Sequence, residues 1–446
     1  MSVFNKYIKD LFLPLRFYVA IGSCILFFVI AFLYPTIFSI SKIYFASICI
    51  LILLDYVFVF IRNEPLEANR KISARLSNGE DNMVEIEVKN KLPYAIEIEI
   101  IDELPIQLQE RNFEIKSKLA TNETAVFKYS INPVQRGLYG FGNVIVLFQS
   151  KLGLVLRRQK LGKSDTVSVY PAFSQLGKYA LLAQTNTSEY GSKRMRKIGQ
   201  SMEFEQIKEY VSGDDIRTIN WKATARKGSL MINNYTDEKS QQVYVVIDKG
   251  RLMKMPFNGL SLLDYSINAA LALSNICLQK QDKIGLITFG DKIGNIIAAD
   301  RKPIQREKIL QLLYKENTAF LESDFEMLYT QVRNKIKQRS LLILFTNFES
   351  SNGLKRQINY LRSIAKHHLL LVVFFENTEL TKLSTAHAKT VEDVYVKTIA
   401  DKLAYEKRML VKELQQYGII AIQSSPESLT VNSINKYLDL KSKQML

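Results

Sequence analysis

Cysteine, histidine and tryptophan are all scarce in this chain of 446 residues, which holds three, three and one of them. The cysteines, Cys24, Cys49 and Cys277, are odd in number and far apart, so neither a disulfide framework nor a zinc motif can be read from them. His367 and His368 close a helical pattern, where cations are favoured in any case, and His387 stands alone. No zinc-binding helix motif, nucleophile elbow or Walker loop is present. Acidic charge is short as well: 44 Asp and Glu face 60 Lys and Arg, a net charge of +16. A balance of that sign favours anionic surroundings such as lipid headgroups, nucleic acid or acidic proteins.

Long apolar runs, in contrast, are prominent near the start. Phe17 to Tyr34 carries no charge, and Ile43 to Ile61 carries one, Asp55. At the rise of an α-helix each run covers about 27 Å, close to the hydrocarbon thickness of a bilayer. The spacing predicts transmembrane helices over 17–34 and 43–61, with Pro35 and the polar "SISK" (residues 39 to 42) forming the reversal. Lys6, Lys9 and Arg16 precede the first run, and Arg62, Arg70, Lys71 and Arg75 follow the second, whereas the connection offers only Lys42. That asymmetry places both termini and the soluble body in the cytoplasm and the chain in the inner membrane, in contact with the bilayer. Asp55, two turns from the inner end, is expected to snorkel or to pair with a neighbouring helix.

From about Glu67 the hydrophobic period becomes two. "NMVEIEVKN", "AIEIEIID", "TAVFKYSINP" and "NVIVLFQS" alternate apolar and polar residues between turn signals, which predicts a small antiparallel β-sandwich. "RGLYGFG" (136 to 142) is flanked by strands and opens no helix, so its glycines are expected to serve turns and bulges and not a phosphate loop. After Lys239 buried strands alternate with helices: "QVYVVID", "KIGLITF", the edge candidate "GNIIAA", "SLLILFTN", "LLLVVFF" and "IIAIQ". Such β-α repetition predicts a doubly wound, largely parallel sheet, with ligands beyond its carboxyl ends at Asp248, Phe289–Asp291 and Thr346–Asn347.

This order of elements, with the strand ending in Asp248, "IGLITFGD" and "LLILFTNFES", resembles a von Willebrand factor A domain. The resemblance implies a divalent-ion site built from an Asp-x-Ser-x-Ser loop, a threonine and a second aspartate. Here the loop reads "DKGRL": Asp248 is kept, Gly250 and Leu252 replace the serines, and Asn347 stands where an aspartate is expected. With one carboxylate and two hydroxyls missing from a hard-cation ligand set, the site is expected to be degenerate. No cofactor is expected, Mg2+ being the one candidate. Glu322 to Asp324 could add oxygens from a neighbouring loop.

The stretch "GDDIRTINWKATAR" (213 to 226) gathers Asp214, Asp215, Arg217, Asn220, Trp221, Lys222 and Arg226. Phe204, Ile207 and Val211 predict a short helix before it, ended at Ser212–Gly213. Asp214 is then expected to cap a second helix over 218–226, with Asp215 in its first turn and Gly228 as its stop. On that helix Arg217 would lie one turn from both Asp214 and the indole, leaving Lys222 and Arg226 to meet an outside partner. The motif, the two apolar runs, "RGLYGFG", "VYPAF" (169 to 173) and "VVIDKGRLM" together resemble the DUF58 family. That resemblance implies a membrane-anchored accessory of MoxR-type AAA+ ATPases and other A-domain proteins.

The expected organisation is therefore a membrane hairpin over 1–62, a β-rich domain over 63–171, a linker and motif block over 172–238, and an A-type domain over 239–446. The leading reading is a non-enzymatic interaction or scaffold protein, with the motif as a joint between the β-rich and A-type domains. The alternatives are a metal-dependent A-domain ligand binder and a hydrolase using Asp214 and Asp215 as acid and base. No specific nucleic-acid binding is expected: "GSKRMRKIGQS" (191 to 201) is basic but has no aromatic stacking platform.

Overall fold

A computed structural model of the protein describes residues 9–110, 113–172, 177, 202–237, 241–318, 320–348, 350–385, 390–443 and 445. Lys6, His387 and the basic stretch 191–201 lie outside the described residues. The chain divides into two compact units, Met1–Tyr170 and Pro171–Leu446.

In the first unit, helices α1 (Leu15–Leu33) and α2 (Phe38–Phe60) are both long and apolar enough to cross a membrane. The reversal between them is tighter than the sequence suggested. A single 3-10 turn, Pro35–Ile37, makes it, and the "SISK" residues already belong to α2. Proline suits the first position of a helical turn because its missing N–H would go unused there. Ser41 is tolerated inside the helix because its hydroxyl lies 3.2 Å from Ile37 O and 3.3 Å from Phe27 O across the pair. Ser23 and Tyr44 add a second polar link between the helices at 3.0 Å.

Around them are β1 (Leu11–Phe12), β2 (Leu66–Lys71), β3 (Arg75–Ser77), β4 (Asn82–Asn90), β5 (Ile96–Asp102), β6 (Ile115–Leu119), β7 (Thr124–Ile131), β8 (Gly137–Phe141), β9 (Val144–Gln149), β10 (Leu156–Leu161) and β11 (Asp165–Tyr170). They form sheets of order β1-β10-β9-β5-β6, β2-β4-β7 and β3-β11-β8. All pairings are antiparallel except β3 with β11, so the expected all-antiparallel pattern is broken once. The period-two stretches are strands as expected, burying Val84, Ile86 and Val88 from β4 and Ile96, Ile98 and Ile100 from β5. "RGLYGFG" departs from expectation, being mostly strand β8 with Tyr139 and Phe141 buried. Its glycines have two separate uses. Gly137 takes φ +139°, and a Cβ on Gly142 would fall 2.4 Å from a Glu103 oxygen.

The end of α2 is part of the β core. Val59 and Phe60 pack with Leu66, Ile86, Ile98, Val146 and Phe148. Asp55, fully buried, neither snorkels nor pairs with a helix. It accepts hydrogen bonds from Ser150 Oγ, from Leu154 N at 2.8 Å and from Val155 N at 2.9 Å, all in the turn between β9 and β10. The reason is geometric: the carboxylate meets unpaired turn amides before it would meet lipid. Arg157 completes the joint, donating to Val59 O at 3.1 Å and Arg62 O at 2.8 Å, with its guanidinium 4.7 Å from the Phe60 ring centroid. These are carbonyls that the helix end leaves free. Elsewhere in the unit, buried Arg70 pairs with Asp102, which also accepts from Tyr129.

The second unit contains a six-stranded sheet formed by β14 (Gln242–Asp248), β17 (Lys283–Phe289), β18 (Ile293–Asp300), β19 (Leu341–Phe345), β20 (Leu369–Phe375) and β21 (Ile420–Ser424). Preceding it, β12 (Met202–Glu209) and β13 (Met231–Asp237) pair as a hairpin that encloses helix α3 (Trp221–Lys227). A small ribbon, β15 (Pro256–Phe257) with β16 (Leu260–Ser261), follows β14. The remaining helices are α4 (Leu262–Gln279), α5 (Ile304–Lys315), α6 (Phe325–Lys335), α7 (Ser351–Ala365), α8 (Thr378–Thr385), α9 (Val391–Gln416) and α10 (Leu429–Ser442). The order β18-β17-β14-β19-β20-β21 is parallel except at the antiparallel edge strand β18. The mixed α/β architecture is as expected. The connections diverge on either side of β14, so the carboxyl end of β14, at Asp248, lies at the switch point where such sheets carry their crevice.

Replacing Asp55 by alanine strands the Ser150 hydroxyl and the Leu154 and Val155 amides in the interior. We expect a loss of about 2–4 kcal/mol, from the cost of orphaned buried donors, seen as a lower melting temperature of the detergent-solubilised chain. Surface Asp81→Ala serves as the neutral control.

Candidate functional site

Two places gather the residues that the sequence singled out. The first is the arm formed by β12, α3 and β13. The stretch containing Ile207 is strand β12 and not a helix, because it pairs with β13, for example Ile207 with Asn233 and Glu209 with Met231, across one register shift between Phe204 and Gln206. The expected helix over 218–226 is also broken up. A 3-10 turn covers Ile216–Thr218, and the α-helix begins only at Trp221. Asn220 caps it, accepting from Ala223 N at 3.0 Å and donating to Asn233 Oδ1 at 2.9 Å. Gly228, at φ +73°, stops it.

Asp214 and Asp215 therefore have different work from that expected. Asp214 accepts from Val211 N at 3.1 Å and pairs with Lys208 at 3.1 Å. Asp215 caps the 3-10 turn, accepting from Arg217 N at 3.0 Å. The Asp214–Arg217–Trp221 stripe does not form because 214–220 is not helical. Instead Trp221 is 70% exposed, and Arg217, Lys222 and Arg226 are exposed with it. Val211 and Ile216 are open as well. Asn220 was the one motif residue to which sequence reasoning gave no role, and its Asn-before-helix position was the signal available.

The second place is the carboxyl edge of the sheet. Asp248 is buried and accepts three hydrogen bonds: from Gly250 N at 2.8 Å, from Thr346 Oγ1 at 2.6 Å and from Ser323 Oγ. Burial pushes its pKa up, against the pull of the three donors. A Cβ on Gly250 would lie 2.1 Å from Ser323 Oγ. The Ser323 hydroxyl thus fills the space that a side chain in the DKGRL loop would need, so the glycine is a packing requirement. Asn347 accepts from the Lys407 ammonium at 3.3 Å, which also donates to Phe375 O at 3.0 Å. On the other side of Asp248, Lys249 pairs with buried Glu316 at 2.7 Å. Thr346, at a strand end, and Ser323, within the 322–324 loop, lie in stretches that the sequence already groups with Asp248; Lys407 carries no such linear signal, and only the fold brings it there.

This donor set does not fit a divalent ion. Both Asp248 oxygens are occupied by donors, and an ammonium stands on the Asn347 oxygen where a cation would need it. Among the described residues no group of three or more His, Cys, Asp and Glu is placed to hold a metal. Above the edge lies a cavity of about 110 Å³ lined by Asp248, Arg251, Glu322, Asn347 and Arg356, among others. Glu322 bridges its two arginines, 3.1 Å from Arg251 and 4.0 Å from Arg356.

Residues 206–407, from within β12 to within α9, match the family model described as "Protein of unknown function DUF58", which supports reading the chain as a DUF58 protein. A relative from Bacillus subtilis, "Uncharacterized protein YeaD", is 23% identical over 190 residues, covering 41% of this chain and 48% of its own length. The chain thus spans about half the length of the curated relative it matches. Among solved structures, the hypothetical protein BatB from Bacteroides thetaiotaomicron is 11% identical with a TM-score of 0.30, covering 46% of this chain and 100% of its own. The CARDB domain of the PF1109 protein from Pyrococcus furiosus is 15% identical with a TM-score of 0.17, over 23% of this chain and 86% of its own. Scores this low carry no argument about fold or function.

Two measurements check the carboxyl edge. Because the folded pKa of Asp248 lies above its unfolded value, the native state holds a proton that the unfolded chain has already released. Stability therefore falls as pH rises through that window. Asp248→Asn, whose amide can keep the Gly250 and Thr346 contacts, should flatten that part of the melting-temperature profile. In the second, millimolar Mg2+ added to the full chain should leave the melting temperature unchanged.

Proposed function

We propose that this protein is a non-enzymatic docking platform, anchored in the inner membrane through α1 and α2 with both termini and its soluble body in the cytoplasm. Its partner surface is the arm. The observation that carries the reading is the exposure of the chain's only tryptophan on a helix capped at both ends, beside Arg217, Lys222 and Arg226. Tryptophan and arginine are the residues most enriched at binding hot spots, and a pre-capped helix loses little entropy on docking. The cations fit a partner with an acidic face. The DUF58 resemblance names its class, a MoxR-type AAA+ ATPase or another A-domain protein, and the sheet of the second unit is itself read as an A-type domain. The hydrolase and the metal-dependent ligand binder find less support in the geometry. Asp214 and Asp215 are turn acceptors, and Asp248 is closed by its own neighbours.

The test is affinity purification from membranes in mild detergent. The intact chain should recover an ATPase or A-domain partner. Trp221→Ala and the pair Lys222→Glu with Arg226→Glu should reduce recovery by about tenfold or more, as for loss of a hot-spot residue, with melting temperature unchanged. Undiminished recovery by folded variants would sink the assignment to the arm. Absence of any such partner from the intact bait would sink the platform itself.

A further inference from the structure

The second unit has another concave site, at the opposite end of its sheet. Residues at and just beyond the C-terminal ends of α6 and α7 line a cavity of about 360 Å³ there. Tyr329, Val332, Ile336 and Ile364 give it an apolar floor, and Arg333, Lys337, Arg339 and His367 line it with cations or potential cations. None of those four pairs with a carboxylate among the described residues; Arg333 reaches only the Tyr329 hydroxyl, at 3.2 Å. Glu326, one turn before Tyr329, is engaged by the Tyr360 hydroxyl at 2.8 Å. His368 also lines the cavity. It is only 6% exposed, and its Nδ1 is buried without a hydrogen-bond partner.

Cations near helix C-termini have a local use, and Lys337 does donate to Arg333 O at 3.2 Å. The helix dipole does not explain a cavity whose lining carries several cations and no acid. We propose that this cavity binds a phosphate-bearing anion, with Arg333, Lys337 and Arg339 meeting its charge and the His368 ring forming part of its wall. A phosphate group offers several acceptor oxygens, which matches a set rich in donors and free of acids. Its volume is in the range of small-molecule sites. Burial, and then the neighbouring His367, lower the pKa of His368, so near neutral pH the ring is uncharged and can donate from one nitrogen without demanding a counter-ion. The source is either a free phosphate compound or the headgroup of an anionic phospholipid.

Calorimetric titration of the full chain in zwitterionic detergent, at low salt, separates the sources with two probes. Inorganic pyrophosphate stands for the free compound, and glycerophosphoglycerol for the lipid headgroup. Saturable binding of at least one probe is expected, with a shift of the His368 imidazole resonance, identified by its loss in His368→Gln. The tighter probe assigns the source. Arg333→Gln with Lys337→Gln should weaken binding about tenfold, the order of two charge-assisted contacts. Lys402→Gln with Lys412→Gln, an equal charge change on α9, should leave it unchanged. No saturable binding of either probe overturns the proposal, and so does equal weakening by the two double variants, which would mean unspecific attraction. If His368→Gln does not fold, the Arg333 and Lys337 variant carries the test, since both side chains are exposed.

Discussion

The first unit depends on one buried carboxylate. Asp55 sits in an otherwise apolar helix, and all of its hydrogen bonds go to the turn joining β9 and β10. An acid inside a candidate membrane helix is costly in lipid, so its position fixes how far α2 can sit in a bilayer. On one face of α2, Ile52, Asp55, Tyr56, Val59 and Phe60 belong to the protein core, while Val57 and Phe58 on the other stay exposed. Arg157 then takes the carbonyls at the helix end, and Phe60 packs under its guanidinium. Neither residue is spare polarity: each satisfies backbone groups that the fold would otherwise bury unpaired.

The second unit shows the same economy at Asp248. A sheet of this topology presents strand ends, loops and a crevice at its switch point. Here the space is taken by the protein's own donors. Ser323 occupies the place a loop side chain would need, Thr346 closes the other carboxylate oxygen, and Lys407 puts an ammonium on Asn347. A buried carboxylate satisfied in this way holds three segments of chain together, from β14, from the loop before α6 and from the end of β19. Its role is that of a fastening.

The period-two pattern of β4 and β5 and the apolar runs of β14, β19 and β20 were legible because each reflects burial, which sequence encodes directly. The motif block departs from its local pattern for a physical reason. Phe204, Ile207 and Val211 are spaced as in a helix, but the pairing of β12 with β13, set by residues some thirty positions on, overrides local period. The local pattern makes Asp214 the cap and Asp215 a first-turn acid of an α-helix, whereas in the fold Asp215 is the cap, and of a 3-10 turn. Asn220 is the cap that mattered for α3. At Asp248 the sequence showed which hydroxyls were missing from the loop. The 322–324 loop and Thr346 were legible as neighbours of that edge, but the Lys407 ammonium was not, because no spacing rule connects it to that strand.

The attachment of the helices has a mechanical meaning. β1, just ahead of α1, pairs with β10, and the end of α2 is embedded in the same β structure. Both helices are thus clamped at one end and joined at the other by four residues, 34–37. The five residues 61–65 between α2 and β2 are held by Arg157 at the carbonyls of Arg62 and Asn63, so tilt is transmitted and not absorbed. If the pair spans a bilayer, a change in bilayer thickness that inclines the helices must swing the β structure with them. The hairpin is then a stiff stalk, and the β unit reports its angle.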